Sequence, residues 1–550
     1  MDQQNPPTVT MSDSFTSDLS TATDQISRPK LRAQSAHPML FIPELLLEFM
    51  PYLHDPDFEA DVGIDYVSIN SVGLVCKAWR EPSLAIKWRK EIWAHVLYML
   101  VPVRVSPELR WVFVRTPTRN DWYRFEMVAG RLHTLVIPSD TLDMDLSVLA
   151  ALGGTRPDYK RTPFENLRGI DAHMVSGSNL VTIIVPRLPI PSLTILEVGV
   201  DTSVDAASQV SFLQLIPDRF PSLSTLKLWS FSDNKHIHTT LRSTIRKLGQ
   251  LRHIFLHGLS FTNEITAPLS AMPALEIVEF EASGRQLHLH HRLRWADNTG
   301  AFTRLSHLKL HLAFDEETCS ILRTIATNHS LQRLSLTHYA SCNPQAKLDA
   351  VISAITQHSQ LRELELKDVS VEVMSRATFR PLGSCGAMES LEFSILTSKM
   401  GVRFADHDLG DMLQHLPNLK TLRFSVYGGD NGLTLFSLVI ALRHCPLLED
   451  VGLYVDARQC ALPAPNQLRT RHHNLYHLNF MEGAGLPANS GIDSAEAVAA
   501  FLSSLSTRAI EVRGTAQNDG SPEAEKWCEV SRIFQKALGG EGECGCRAQK

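Results

Sequence analysis

The sequence lacks an excess of positive charge. Its 53 lysine and arginine residues are outnumbered by 59 aspartate and glutamate residues, and the formal net charge at pH 7 is -6. Proteins that bind nucleic acid without sequence preference usually carry a basic excess. We therefore expect no nucleic-acid partner.

Long hydrophobic runs are lacking as well. Residues 1–37 are polar and contain no apolar stretch of signal-peptide length. The apolar run from Ala94 to Val103 is interrupted by His95 and is too short to cross a bilayer, which takes about 20 residues. We expect no membrane partner, a disordered tail over residues 1–37, and a cytoplasmic or nuclear location.

Cysteines are few, and catalytic motifs are missing. The nine cysteines are odd in number and irregularly spaced, which disfavours a disulfide framework and indicates a reducing compartment. There is no Gly-x-Ser-x-Gly nucleophile elbow, no glycine-rich phosphate loop and no His-Glu-x-x-His helix. We expect the chain to be no enzyme and to bind no cofactor and no metal.

Two groups of histidines leave one alternative open. They are His288, His290, His291, His472, His473 and His477. On a strand, His288 and His290 would share a face and could both bind a metal ion. Because no third ligand stands at a suitable spacing, a surface strand or loop is the preferred interpretation. A metal-dependent hydrolase is a remote alternative function.

A block of the form Leu-x-x-Leu-x-Leu recurs through most of the chain. Eleven clear copies begin at Leu193, Leu223, Leu251, Leu275, Leu305, Leu331, Leu361, Met388, Leu419, Leu448 and Leu475. Their starts are 24 to 31 residues apart, and weaker copies begin at Leu132 and Leu167. A regular period of this size is typical of a leucine-rich-repeat solenoid.

Each repeat alternates a strand with a helical pattern. The fourth and sixth positions of the block are two residues apart, so on a strand both side chains point to one face. Strand, helix and parallel strand give an α/β solenoid with a curved parallel sheet and outer helices, in which each repeat needs its neighbours to bury its apolar face. We place this solenoid at residues 131–540. A capping helix is predicted at about Pro522–Leu538 and a flexible tail at residues 541–550.

The residues between the apolar strand positions point to the other face, where a partner can bind. Acidic and basic side chains alternate there, so no continuous stripe that could follow phosphates is formed. We predict that this face binds a protein target of unknown identity. The candidate target-binding residues are Lys227, Glu279, Lys309, Glu365, Glu392 and Arg423.

Residues 38–100 carry a different, helical pattern. Pro43 suits the first turn of a helix. A second helix is predicted through Val75 and Trp79, and Pro82 is predicted to open a third helix that continues to Val96. These helices would form a small all-α module. A linker region follows at residues 101–130, with a helix predicted at Asp121–Ala129.

This module resembles the F-box family. Ile42–Leu46 reads IPELL, Tyr52–Asp55 reads YLHD, and Val75–Trp79 reads VCKAW, with Trp88 following. The resemblance implies that the module binds a Skp-type adaptor, which joins it to a cullin and a ubiquitin-charged enzyme. The family's adaptor contacts correspond here to Pro43, Leu45, Leu46, Leu53, Val75 and Trp79.

An F-box followed by leucine-rich repeats implies the substrate-recognition subunit of a Skp–cullin–F-box ubiquitin ligase. The alternative is a repeat-based interaction scaffold that does not recruit a ligase. Two departures from the family pattern favour that alternative. Pro51 can end the first helix early, and residues 55–66 form a longer and more acidic segment than the family usually has.

Overall fold

The computed structural model of this protein describes most of the chain from residue 77 onwards. The described residues are 77–100, 103–105, 110–137, 143–144, 164–172, 190–200, 204–259, 262–281, 302–311, 314, 316–326, 330–338, 345–371, 376–397, 404–427, 432–457, 474–480, 494–505, 511–514 and 522–537. Contacts divide the chain into two compact units, Met1–Lys87 and Trp88–Lys550. The tails predicted at residues 1–37 and 541–550 lie outside the described residues.

The described part of the first unit is helix α1, Lys77–Lys87. Pro82 lies inside this helix, so the prediction that it opens a separate third helix is wrong. A proline removes one amide donor from a helix. Here the Ser83 hydroxyl donates to the Trp79 carbonyl oxygen at 2.6 Å and so adds a bond in the turn that contains the proline.

The prediction of one helix from Pro82 to Val96 is also wrong after Trp88. Lys90–Ile92 form a strand, β1, and a helix begins only at Trp93. Strand β1 pairs in parallel with Thr134–Val136, and the amides of His133 and Thr134 donate to the Arg89 carbonyl oxygen at 3.0 and 2.8 Å. Pairing with a strand distant in sequence therefore overrides the helical spacing. The sheet of the second unit thus includes residues that precede position 101.

A parallel sheet of 15 strands runs through the second unit in the order β1, β4, then β6 to β18. A small sheet is formed by β2, β3 and β5. The remaining strands are β2 Val103–Val105, β3 Arg110–Phe113, β4 Thr134–Val136, β5 Asp143–Met144, β6 Gly169–Ala172, β7 Ile195–Gly199, β8 Thr225–Trp229, β9 His253–His257, β10 Ile277–Glu281, β11 His307–His311, β12 Arg333–Thr337, β13 Glu363–Val371, β14 Ser390–Thr397, β15 Thr421–Tyr427, β16 Asp450–Leu453, β17 His477–Phe480 and β18 Glu511–Gly514.

Helices lie between most of these strands. They are α2 Trp93–Leu100, α3 Arg119–Ala129, α4 Ala206–Arg219, α5 Lys235–Lys247, α6 Asn263–Ser270, α7 Glu316–Ala326, α8 Gln345–Ile355, α9 Arg376–Phe379, α10 Asp406–Leu413, α11 Phe436–His444, α12 Ala495–Leu505 and α13 Pro522–Ala537, with a 3-10 helix at Arg380–Ser384. Neighbouring helices of successive repeats, such as α4 with α5, pack on one another.

The predicted repeat is confirmed strand by strand. Each of the eleven clear blocks begins two residues before a strand of the sheet, as Leu193 does before β7 and Leu475 before β17. The weaker blocks at Leu132 and Leu167 lead in the same way into β4 and β6. The α/β solenoid of leucine-rich repeats is therefore the fold of the second unit.

One continuous apolar core joins the sheet to the helices. The repeated leucines are fully buried, as Leu226 and Leu228 of β8 are, and they pack with helix residues such as Leu241 and Ile245 of α5. Burying a leucine side chain contributes about 1.5–3 kcal/mol. Repetition of this unit over successive turns stabilises a sheet that no single repeat could hold together.

A buried carboxylate caps the N-terminus of the helix that precedes the repeats. Helix α3 begins two residues before the predicted start, and Thr118 and Asp121 form a capping box at its first turn. Asp121 also accepts hydrogen bonds from Arg115 at 2.6 and 2.9 Å and from Arg124 at 2.5 Å. The bonds from Arg115 and Thr118 hold the pKa of Asp121 well below its usual range.

Several other helices begin at residues that suit a first turn. Helix α7 begins at Glu316 and α10 at Asp406, and acidic side chains are favourable at the positive end of a helix dipole. Helix α12 is capped by Ser494, whose side chain accepts from the Ala497 amide at 3.2 Å. Serine is among the preferred N-cap residues.

Candidate functional site

The sheet of the solenoid has one covered face and one open face. Side chains of β8 and β10 alternate between buried and half-exposed along the strand. The buried set packs against the helices, so the half-exposed set points away from them because alternate strand residues lie on opposite faces. We call the side that carries the half-exposed set the open face.

The structure brings the six predicted target-binding residues into one line across the open face. Parallel register aligns the middle residues of the strands from β7 to β15, and we call this line the central row. Its members are Glu197, Lys227, Phe255, Glu279, Lys309, Ser335, Glu365, Glu392 and Arg423. Whether the six residues contact a target stays a prediction.

Ion pairs tie much of the central row together. Lys227 lies 2.9 Å from Glu197. Arg423 lies 2.8 Å from Asp450 and 3.9 Å from Glu392, and the hydrogen bond to Asp450 raises the pKa of Arg423. Charges that are already paired inside the protein gain little from a rim contact with a partner. The two ends of the row therefore present few free charges.

Glu365 sits in the middle of a short polar network. Burial alone would raise the pKa of Glu365, but hydrogen bonds from Lys367 and Ser335 keep it below its usual range. Lys367 also lies 3.8 Å from Glu392. The carboxylate of Glu365 is therefore ionised, and it already accepts hydrogen bonds from Ser335 and Lys367.

Lys309 differs from the other central-row cations. Among the described residues it forms no hydrogen bond or ion pair, although Glu279 is its neighbour on one side and Glu365 stands beyond Ser335 on the other. A depression of about 440 Å³ lies around it on the open face. It is lined by Ile277, Glu279, His307, Leu308, Lys309, Arg333, Leu334, Ser335, Glu363, Leu364, Glu365, Ser390 and Glu392. This depression can take a side chain or a short stretch of peptide.

Aromatic and histidine side chains beside the central row were missed by the sequence reasoning. Trp229 and Phe255 have ring centroids 4.8 Å apart, and Phe255 and His257 have nearly parallel rings 6.5 Å apart. His311 lies across from His257, with Glu281 between them in the register. Phe255 belongs to the central row, and Trp229, His257 and His311 stand two positions from it, so the period-two pattern already placed all four on the same face.

Two carboxylates of β10 are paired with histidines. His253 Nε2 lies 2.9 Å from Glu279 Oε1, and His311 Nδ1 lies 3.4 Å from Glu281 Oε1. The hydrogen bond with His253 lowers the pKa of Glu279. Burial lowers the pKa of His311 and of His307. Charge in this part of the open face therefore depends on the protonation of its histidines.

Only one of the six predicted adaptor-binding residues lies in the described part of the chain. Trp79 lies in α1 and is half-buried. The other five predicted contacts, Pro43, Leu45, Leu46, Leu53 and Val75, lie outside the described residues.

The predicted histidine cluster can likewise be located only in part. His477 is exposed on β17, and the other five histidines of the two groups lie outside the described residues. Within the described ranges, no three histidine, cysteine, aspartate or glutamate side chains come together in a group that could hold a metal ion. Nor does any helix in the described part of the chain combine the length and apolar character needed to span a bilayer.

Comparison with known proteins gives a likeness in structure but none in sequence. No protein-family model matches the chain, and no curated protein matches it. A solved structure described as "Crystal structure of TLR13-ssRNA13 complex" is similar with a TM-score of 0.37 and 18% sequence identity. The match covers 70% of this chain and 46% of that chain, so it spans less than half the length of that protein.

Proposed function

We propose that this chain is the target receptor of a Skp–cullin–F-box ubiquitin ligase. In this proposal the N-terminal module binds the Skp-type adaptor through Pro43, Leu45, Leu46, Leu53, Val75 and Trp79. The open face of the solenoid binds a target protein. The chain itself performs no catalysis and needs no cofactor, because the ubiquitin-charged enzyme is supplied by the cullin.

The observation that carries the proposal is the open face itself. From β7 to β15 the parallel strands present a long line of mostly half-exposed polar and aromatic side chains, and the covered face of these strands is mostly leucine, isoleucine, valine and phenylalanine. A sheet face left open over so many strands is a binding surface of the kind that solenoid proteins use for partners. The F-box-like residues that precede it supply the second half of the proposal, the recruitment of a ligase.

Co-purification with the Skp-type adaptor tests the recruitment half. We expect the full-length protein to capture the adaptor, and the double variant Pro43→Ala plus Leu46→Ala to lose it while keeping the same thermal unfolding midpoint. Retention of the adaptor by the double variant would refute the predicted contacts. Absence of the adaptor from the wild-type protein would refute ligase recruitment and favour the scaffold alternative that Pro51 and residues 55–66 suggest.

Metal analysis of the purified protein tests the remote alternative. Stoichiometric metal, together with a hydrolytic activity lost in His288→Ala and His290→Ala, would favour a metal-dependent hydrolase over a binding subunit. We expect no stoichiometric metal and no difference between these variants and the wild-type protein.

A further inference from the structure

We propose that the open face receives an arginine side chain of a bound protein segment, between Glu281 and the rings of Trp229, Phe255 and His257. We call these four residues the arginine patch. The inference rests on the proposed function as a target receptor and names the chemistry of the target that this face selects. The target segment would be basic, with an arginine as its anchor.

The rings of the patch lie close together on the open face, with Trp229 and His257 at the last residues of β8 and β9 and Phe255 buried in the middle of β9. Trp229 is half-exposed, and its ring lies at 46° to that of Phe255 with centroids 4.8 Å apart. His257 is half-exposed, and its ring lies nearly parallel to that of Phe255, at 6°. A planar guanidinium stacks on such faces better than an ammonium does. The flat rings therefore favour arginine over lysine.

The carboxylate of the patch has no strong cation beside it. Within the described part of the chain, neither Glu279 nor Glu281 has a lysine or arginine at ion-pair distance, and their partners are His253 and His311. The other open-face glutamates differ. Glu363, for example, lies 2.8 Å from Arg333.

Glu281 is the better anchor of the two β10 carboxylates. Lys309 is the direct neighbour of Glu279 in the register and helps to lower the pKa of Glu279. A second cation at Glu279 would therefore meet Lys309. Glu281 faces His257 on one side and His311 on the other. The partner of Glu281 is His311, 3.4 Å away, and burial lowers the pKa of His311, which makes it a weaker cationic partner than a lysine or an arginine.

The wider open face supports a basic partner by its charge. In the described strands from β6 to β16 it carries eight carboxylates, Asp171, Glu197, Glu279, Glu281, Glu363, Glu365, Glu392 and Asp450, against five cations, Lys227, Lys309, Arg333, Lys367 and Arg423. An excess of three negative charges attracts a basic segment and repels an acidic one. Charge and ring geometry thus indicate the same occupant.

Binding of fixed-centre peptide pools tests the proposal. Fluorescein-labelled peptides with randomised flanks and a central arginine, lysine, citrulline or glutamate are titrated with the full-length protein at pH 7.4, and anisotropy is measured. We expect the arginine pool to bind roughly tenfold more tightly than the citrulline pool, as one charge-assisted contact would give. The lysine pool should fall between them and the glutamate pool should be weakest.

Two glutamate variants separate this patch from a general charge effect. Glu281→Gln should remove the preference for arginine over citrulline. Glu363→Gln, on the same face but with its carboxylate already paired to Arg333, should keep it. Trp229→Leu, which retains apolar bulk without the flat ring, should bring the arginine pool down to the level of the lysine pool.

Equal binding of the arginine and citrulline pools by the wild-type protein would overturn the proposal. So would equal losses in Glu281→Gln and Glu363→Gln, because the effect would then be one of net charge alone. The adaptor is not involved in these titrations. Failure of adaptor recruitment and failure of the arginine patch are therefore distinguishable.

Discussion

Adjacent residues of one strand can have opposite importance for stability. On β11, Leu308 is buried in the core while Lys309 stands half-exposed on the open face, without a hydrogen bond or ion pair among the described residues. The alternation that separates them is a property of strand geometry. Single substitutions can therefore separate the contribution of the core from that of the binding face.

We expect Leu308→Ala to lower the free energy of unfolding by about 2–5 kcal/mol, because it leaves a cavity in a fully packed core. The matched control Lys309→Ala should stay within about 0.5 kcal/mol of the wild-type protein. Urea denaturation followed by circular dichroism measures both. Similar losses in the two variants would contradict the assignment of the covered and open faces.

Two histidines of β11, His307 and His311, predict a pH dependence of stability. Burial lowers the pKa of His307 and His311 in the folded protein, so the unfolded chain binds protons more readily than the folded one. Stability should therefore be complete above the ordinary histidine pKa of about 6.5 and fall as the pH drops below it, through the lowered folded values. The charges of Glu281, Lys309 and His257 act on His311 and change how much its protonation contributes to the pH dependence.

Thermal unfolding midpoints at pH 7.5 and pH 5.5 check this prediction. The wild-type protein should lose more of its midpoint between these two values than the variant His311→Gln. The control His477→Gln, on an exposed histidine of β17, should behave like the wild-type protein. A loss in His311→Gln as large as that of the wild-type protein would show that His311 does not contribute.

Residue-level predictability had a clear limit on the open face. The period of the repeat placed all six predicted target-binding residues correctly on that face, because alternation alone determines the side. The same period places Trp229, His257 and Glu281 on that face, but the predicted target-binding residues included only central strand positions. Their pairing across β8, β9 and β10 depends on the register between strands, which repeat spacing suggests but packing decides.

At the scale of elements, the helix starts hold successive repeats together. Asp406 opens α10, and its carboxylate accepts from the Thr434 amide at 2.8 Å, from the Thr434 hydroxyl at 2.7 Å and from the Ser437 hydroxyl. Asp408 accepts from the Ala405 amide at 2.9 Å. Asp406 and Asp408 therefore stabilise the start of α10, and Asp406 also reaches the next repeat at α11.

Asp406→Ala should lower the free energy of unfolding by about 1–3 kcal/mol, because the donors of half-buried Thr434 and buried Ser437 lose their acceptor. Asp218→Ala, at an exposed position of α4, serves as the control and should change it by less than about 0.5 kcal/mol. Urea denaturation of the two variants measures these changes in the free energy of unfolding. No difference between them would contradict the bridging role of Asp406.

Element boundaries were predictable where local signals and packing agree. The helix starts at Glu316 and Asp406 follow capping signals that are local in sequence. The prediction of a single helix from Pro82 to Val96 is wrong, because the four-residue spacing of the apolar residues is also compatible with a helix, a short strand and a second helix. Only the backbone bonds of Arg89 and β1 to β4, some 45 residues away, decide between these arrangements.

At the scale of the whole molecule, the end of the solenoid needs a cap. Helix α13 packs on α12 and β18, and the rings of Trp527 and Phe480 stack with centroids 4.1 Å apart. A repeat array is stabilised mainly between neighbours, so damage at one end stays near that end. The capping role predicted for this helix follows from its buried apolar stripe of Trp527, Val530 and Phe534.

Trp527→Ala should therefore destabilise the C-terminal repeats by about 3–5 kcal/mol while leaving the central ones intact. Hydrogen exchange should speed up in β17 and β18 and stay unchanged in β8 to β11. Uniform acceleration along the whole sheet would show that the solenoid unfolds as a single unit and would contradict the local role of the cap.

The central claim, a ligase receptor with separable adaptor and target functions, is tested most directly by quantitative partner capture with and without residues 1–87. The deletion ends at 87 because β1 already belongs to the sheet of the second unit. We predict that the deletion removes the Skp-type adaptor and the cullin from the captured material and leaves the target, identified by its loss in Glu281→Gln, at its full amount. Adaptor and cullin retained without residues 1–87, or absent from the full-length capture, would contradict the account.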